Sequence, residues 1–112
     1  MAGGKSEDPG WAAQMTLRLR PEAQSDMLEA AHWYEDREPG LGSVLIAAID
    51  DALVRIEAGP LRYPKRHKRL RRALVQRFPY SIFFDFDGAD VVVFAVWHQS
   101  RATKILDDRL KV

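Results

Sequence analysis

A tyrosine, a histidine and a group of arginines in the C-terminal half of the chain are the residues whose types could support chemistry. Tyr80 and His98 sit on two apolar segments separated by a turn signal, so antiparallel pairing would bring them together. Arg71, Arg72, Arg77 and Arg101 flank them. Cleaving RNA without a metal needs a group to take the 2′-hydroxyl proton, cations for the phosphorane and an acid for the leaving oxygen. Histidine, tyrosine and arginine can fill those roles. The plainer reading is structural, because a histidine at a strand end beside a tyrosine more often serves packing than catalysis. His32, on an acidic helix, and His67, in a basic loop, are weaker candidates. Asp85, Asp87 and Asp90 could gather oxygen ligands, but a hairpin turn accounts for them. With no nucleotide-binding glycine loop and no Ser-His-Asp spacing around a nucleophile, the reading assigns no metal and no cofactor.

The arginines belong to a longer basic run. Between Arg62 and Arg77 stand eight of the chain's 17 Lys and Arg residues and no carboxylate, while the preceding half is acidic. A formal net charge of +1 therefore conceals a polarised molecule. The bland explanation is a solvated loop. The functional one is salt-dependent contact with phosphates through Arg69, Arg71, Arg72, Arg77 and Arg101. An acidic or amphipathic segment of a partner protein would suit the patch equally well.

The elements that must position these groups are readable from the pattern. Residues 1–14 are rich in Gly, Ser, Asp and Pro and read as a disordered leader or tag-like extension, with a single domain over 15–112. Residues 15–20 alternate as a short strand, and Pro21 opens a first helix ending near Asp36. Glu38-Pro39-Gly40 breaks it. A second helix runs from about Leu41 to Ala58, with Leu45, Ile49, Ala52, Leu53 and Ile56 as its stripe, and stops at Gly59-Pro60. Residues 60–70 read as a basic loop. Strands are expected at about 71–78, 80–86 and 91–97, with a turn at 87–90 and a short helix over 102–110. The third strand lacks alternation, so it should be central and covered on both faces. Phe83 points opposite to Ile82 and Phe84 and could be an exposed contact. The expected fold is α+β: an N-terminal strand, an antiparallel helix hairpin, then a three-stranded antiparallel sheet.

The absence of cysteine excludes disulfides, thiolate nucleophiles and cysteine-ligated zinc, and leads to a cytoplasmic expectation. No apolar stretch approaches the roughly 20 residues that span a bilayer, so no membrane partner is expected.

Leu17-Arg-Leu-Arg-Pro-Glu-Ala, Trp33-Tyr34-Glu35, Pro39-Gly40-Leu41-Gly42 and Tyr63-Pro64 together resemble the RelE/ParE superfamily of bacterial toxins. So do Arg71-Arg-Ala-Leu-Val-Gln-Arg-Phe-Pro-Tyr-Ser-Ile-Phe-Phe84 and Val91-Val-Val-Phe-Ala-Val-Trp-His-Gln-Ser-Arg101. The resemblance covers residues 15–110 and implies the toxin of a type II toxin–antitoxin pair, of the kind called plasmid stabilisation proteins. It implies a cognate antitoxin that wraps over helices and sheet and brings the pair to operator DNA. RelE-type members are ribosome-dependent, metal-independent mRNA endonucleases, whereas ParE-type members inhibit DNA gyrase.

In the nucleases an arginine commonly follows the aromatic that opens the middle strand; here Ser81 follows Tyr80. Removing a preorganised charge of that kind costs about 2.7–4 kcal/mol of transition-state stabilisation. His98 matches the terminal-strand histidine of some nucleases, and Arg101 could replace a nearby basic residue. The phrase Arg-Phe-Pro-Tyr with the Trp-His-Gln-Ser-Arg ending nevertheless resembles ParE-like members more closely. The expectation is thus a gyrase inhibitor. The first alternative is a nuclease using Tyr80 and His98, and the second a non-toxic remnant that only binds antitoxin or nucleic acid.

Overall fold

The computed structural model describes residues 16–111; the leader expected over 1–14 lies outside them. Strand β1 (Leu17–Leu19) leads into helix α1 (Pro21–Arg37), a three-residue link and helix α2 (Leu41–Ala58). After a 3-10 turn at Pro60–Arg62 come β2 (Lys65–His67), β3 (Leu70–Leu74), β4 (Tyr80–Phe86) and β5 (Val91–His98). A 3-10 turn at Thr103–Leu106 and the short helix α3 (Asp107–Leu110) finish the described chain.

The sheet differs from the expected three antiparallel strands. It has five, in the order β1-β5-β4-β3-β2, and is mixed because β1 runs parallel to β5. Two strands account for the difference. The alternating segment at the start is a strand, as expected, but three residues carry no signal for their partner, which lies 74 positions away at Val91. The stretch 60–70 reads as a loop because Lys65-Arg66-His67 has no apolar face; β2 is an edge strand and needs none. The strand expected at 71–78 also ends early. β3 stops at Leu74, and Arg77 adopts a left-handed φ of 75° in the turn to β4.

Both faces of the sheet are covered. The helix hairpin lays Ala23, Ala30, Leu45, Ile49, Ala52 and Ile56 over Ala73, Ile82, Phe84, Val91, Val93 and Val96. On the opposite face Leu70, Phe83, Phe94, Trp97 and Leu106 form a second cluster. Phe83 is therefore a core residue with 2% exposure, not the surface contact that its strand parity suggested. A register shift between Phe83 and Phe84, which pair with Ala95 and Val93, feeds an extra aromatic, Phe94, into this second cluster. β5 is central and buried on both sides, as its unbroken apolar run requires.

The hairpin is fixed at its bend. Glu35 near the end of α1 accepts hydrogen bonds from the backbone N–H groups of Gly40 and Gly42, at 2.8 and 2.9 Å. It thereby caps donors that α2 would otherwise leave unpaired. Gly42 permits the close approach: a Cβ there would lie 2.6 Å from the carbonyl oxygen of Ala31. Nearer the start of α1, Asp26 receives both guanidinium nitrogens of Arg109, at 2.5 and 2.9 Å, and the Val96 N–H at 3.0 Å. Arg109 also donates to the Phe94 carbonyl. This pair ties α1, β5 and α3 together beyond the point where β1 ends.

Candidate functional site

Tyr80 and His98 face each other in register at the first rung of the β4–β5 ladder. Their rings meet edge to face, with centroids 5.1 Å apart. Antiparallel pairing of the two segments thus brings the two side chains together, as expected. Chemistry is a separate question. Nδ1 of His98 accepts a hydrogen bond from the Ser100 N–H at 3.0 Å and lies 2.8 Å from the Ser100 hydroxyl. An acceptor at Nδ1 places the proton of the neutral ring on Nε2. The Tyr80 phenol is pushed above its ordinary value of 10.0, first by burial and then by Tyr34 and Asp26. At neutral pH it is a proton donor and not a base.

Both rings border a cavity of about 340 Å³ between α1 and the β4–β5 ladder. Its other walls are Asp26, Glu29, Trp33 and Tyr34 from α1, with Arg101 at the rim. Tyr34 stacks edge-on against Phe78 and Tyr80, at 5.2 and 6.3 Å. Trp33 is half-exposed and carries the Arg37 guanidinium 3.8 Å above its ring. The α1 contribution was missed from sequence, although Asp26, Glu29, Ala30 and Trp33 follow helical spacing and so had to share one face.

The basic residues do not converge. Arg69 pairs with Asp85 at 3.0 Å, and Arg71 donates to the Tyr63 carbonyl at 2.7 Å. His67 and Lys68 both reach Asp107, at 2.7 and 3.1 Å. A run without carboxylates in sequence thus acquires acidic partners from β4 and α3 in space. Arg77 is exposed in its turn, away from the Tyr80 cavity. Arg101 lies flat on Trp97, 3.8 Å from the ring centre, while the indole N–H donates to the Arg101 carbonyl. Arg72 and Arg101 share a small cleft of about 50 Å³ with Ser81, Trp97 and His98, on the sheet face away from the helix hairpin. Arg72 also lines a wider cavity of about 490 Å³ with Arg55 and Arg66, and no carboxylate stands in its wall. No group of three or more potential metal ligands occurs among the described residues.

A family model for the ParE toxin of type II toxin–antitoxin systems, parDE, matches residues 17–103. The chain belongs to that family. Among solved structures, a chain from a chromosomal ParDE toxin–antitoxin system of P. aeruginosa superposes with a TM-score of 0.68. It is 16% identical, over 75% of this chain and 95% of that one, so the likeness is one of fold. No curated protein matches the chain in sequence. In this ParE-family chain the residue after Tyr80 is Ser81, with 3% exposure and opposite Trp97 in the ladder. A buried hydroxyl there contributes no charge to the Tyr80–His98 cavity.

Proposed function

We propose that the chain is the toxin of a type II toxin–antitoxin pair, acting as a binding inhibitor of DNA gyrase and neutralised by a cognate antitoxin. Operator DNA is then reached only through the antitoxin. Family membership supports the toxin reading. The observation that carries the choice of a non-nuclease is the composition of the cavity around Tyr80 and His98. A site for RNA needs cations on the phosphate and a base near the 2′-hydroxyl. This cavity offers one arginine at its rim, set against Glu29, while its second carboxylate, Asp26, is already paired with Arg109. Burial moves the Tyr80 phenol still further from acting as a base, and Ser81 supplies no cation. In the gyrase reading, Arg72, Arg77 and Arg101 are target contacts, while Arg69 and Arg71 hold the sheet edge. The direct test is a supercoiling assay with purified toxin. Gyrase unaffected at concentrations that stop growth would sink the proposal.

The ring contact of Tyr80 with His98 favours a second reading, ribosome-dependent mRNA cleavage. New mRNA ends in a reconstituted translation reaction that vanish with His98→Ala would establish it. Expression without antitoxin separates both from a non-toxic remnant, because only the remnant leaves growth unchanged.

A further inference from the structure

The cavity beneath α1 carries a polar pattern that the gyrase reading leaves unused. Its walls include the flat rings of Trp33, Tyr34, Tyr80 and His98, with Ala30 and Val96 as apolar lining. At about 340 Å³ it falls within the roughly 300–1,000 Å³ of small-ligand pockets. Four polar groups on its border have capacity to spare. Nδ1 of His98 is taken by the Ser100 N–H, so the Nε2–H of the neutral ring is a donor without a partner among the described residues. The Tyr80 phenol is protonated at neutral pH, and its hydroxyl meets no acceptor among them. Asp26 is engaged by Arg109 and the Val96 N–H. Glu29 is therefore the free carboxylate, since it forms no ion pair among the described residues. Arg101 lays one face of its guanidinium on Trp97, a contact that keeps its N–H edge open at the rim.

We propose that this cavity binds a guanine nucleotide, with the base among the aromatic walls and its phosphate on Arg101. Guanine presents two adjacent donors, N1–H and the N2 amino group, and two adjacent acceptors, O6 and N7. The donors suit the Glu29 carboxylate, and the acceptors suit the Tyr80 hydroxyl and the His98 Nε2–H. Adenine has an unprotonated N1 where guanine carries a proton, so it would meet Glu29 acceptor to acceptor. Contact between base and aromatic ring supplies affinity for any base, while the carboxylate supplies the selection. The same chemistry serves a free nucleotide and an unstacked guanine of an RNA strand. Binding a base requires no chemistry at its phosphate. A chain that spared gyrase and a chain that cut no mRNA would both bind guanine, so this site stands apart from either outcome.

The full chain is titrated with GMP, AMP and guanosine at low salt, with side-chain and amide resonances as readout. Saturable shifts are expected at Trp33, Tyr80 and His98, with GMP held about tenfold or more tightly than AMP. Glu29 is exposed on α1, so Glu29→Gln should fold normally. It should also erase the preference, because an amide pairs with N1 and N6 of adenine as readily. Arg101→Gln should remove the advantage of GMP over guanosine and leave guanosine binding unchanged. A uridine trinucleotide with a central guanosine separates the two sources. Guanine-dependent binding tighter than GMP assigns the cavity to RNA, and weaker binding assigns it to the free nucleotide. Equal affinity for GMP and AMP, a preference that survives Glu29→Gln, or shifts confined to the cavity of Arg55, Arg66 and Arg72 would each overturn the proposal.

Discussion

Two open cavities of the molecule, of about 340 and 490 Å³, have opposite character. The one beneath α1 has aromatic walls and two carboxylates, while the one beside β3 has three arginines and no acid. The first contains Tyr80 and His98, and the second contains neither. Net charge reports neither. The comparison shows that a titratable pair in contact is not yet a site: its neighbours decide which ligands can approach. Tyr80 and His98 are close, but their surroundings offer a phosphate a single arginine, with Glu29 beside it.

The strongest way to break this contrast is to remove the acid that builds the first cavity. Asp26→Ala leaves Arg109 partly buried without its partner and the Val96 N–H unpaired. A loss of about 3–5 kcal/mol is expected in urea unfolding, since one member of a buried pair is left uncompensated. Lys111→Ala, at the exposed Asp108–Lys111 pair, should change nothing measurable. Next in size is Gly42→Ala. Its methyl group would collide with the Ala31 carbonyl and force α1, with its acidic wall, away from α2. The expected cost is about 1–3 kcal/mol, read from thermal unfolding. Arg101→Ala removes the guanidinium from Trp97 at the rim shared by the Tyr80 cavity and the small cleft, at about 0.5–1 kcal/mol.

The smallest effect lies at the tie between the basic run and α3. His67 and then Lys68 hold the Asp107 carboxyl below its ordinary 3.8. A depressed carboxylate stabilises the fold above its unfolded pKa, and that contribution is lost as pH falls through the folded value. Asp107→Asn should therefore narrow its gap in melting temperature to the unmodified chain on acidification below about pH 4. A gap that stays constant to pH 2 would show that the contact carries no charge-dependent stability.

Much of this was legible before the structure. Gly59-Pro60 and Pro39-Gly40 punctuate the helices where they end, and the apolar run 91–97 gave its own central position. These signals are local, or follow from burial on both faces. The Tyr80–His98 contact was legible because a hairpin turn fixes register. What escaped reading depends on distant partners: the parallel pairing of β1, the Asp26–Arg109 pair, and the carboxylates that meet Arg69 and Lys68. β2 escaped for a different reason, since three polar residues at an edge leave no periodic trace. Phe83 was misplaced because parity predicts which face a residue takes but not whether that face is covered.

The parallel pairing of β1 with β5 also sets an order of events during synthesis. The two strands that meet are separated by both helices and three other strands, and the ion pair that reinforces them joins residues 83 positions apart. Such contacts carry a large loop-closure cost and form late. A nascent chain can build the helix hairpin early, but its sheet has no centre until β5 has been made. The Asp26–Arg109 tie must wait until residue 109 leaves the ribosome. Until then the apolar face of the hairpin has no sheet to cover it, so a truncated product would expose an aggregation-prone surface and present no assembled cavity to any target.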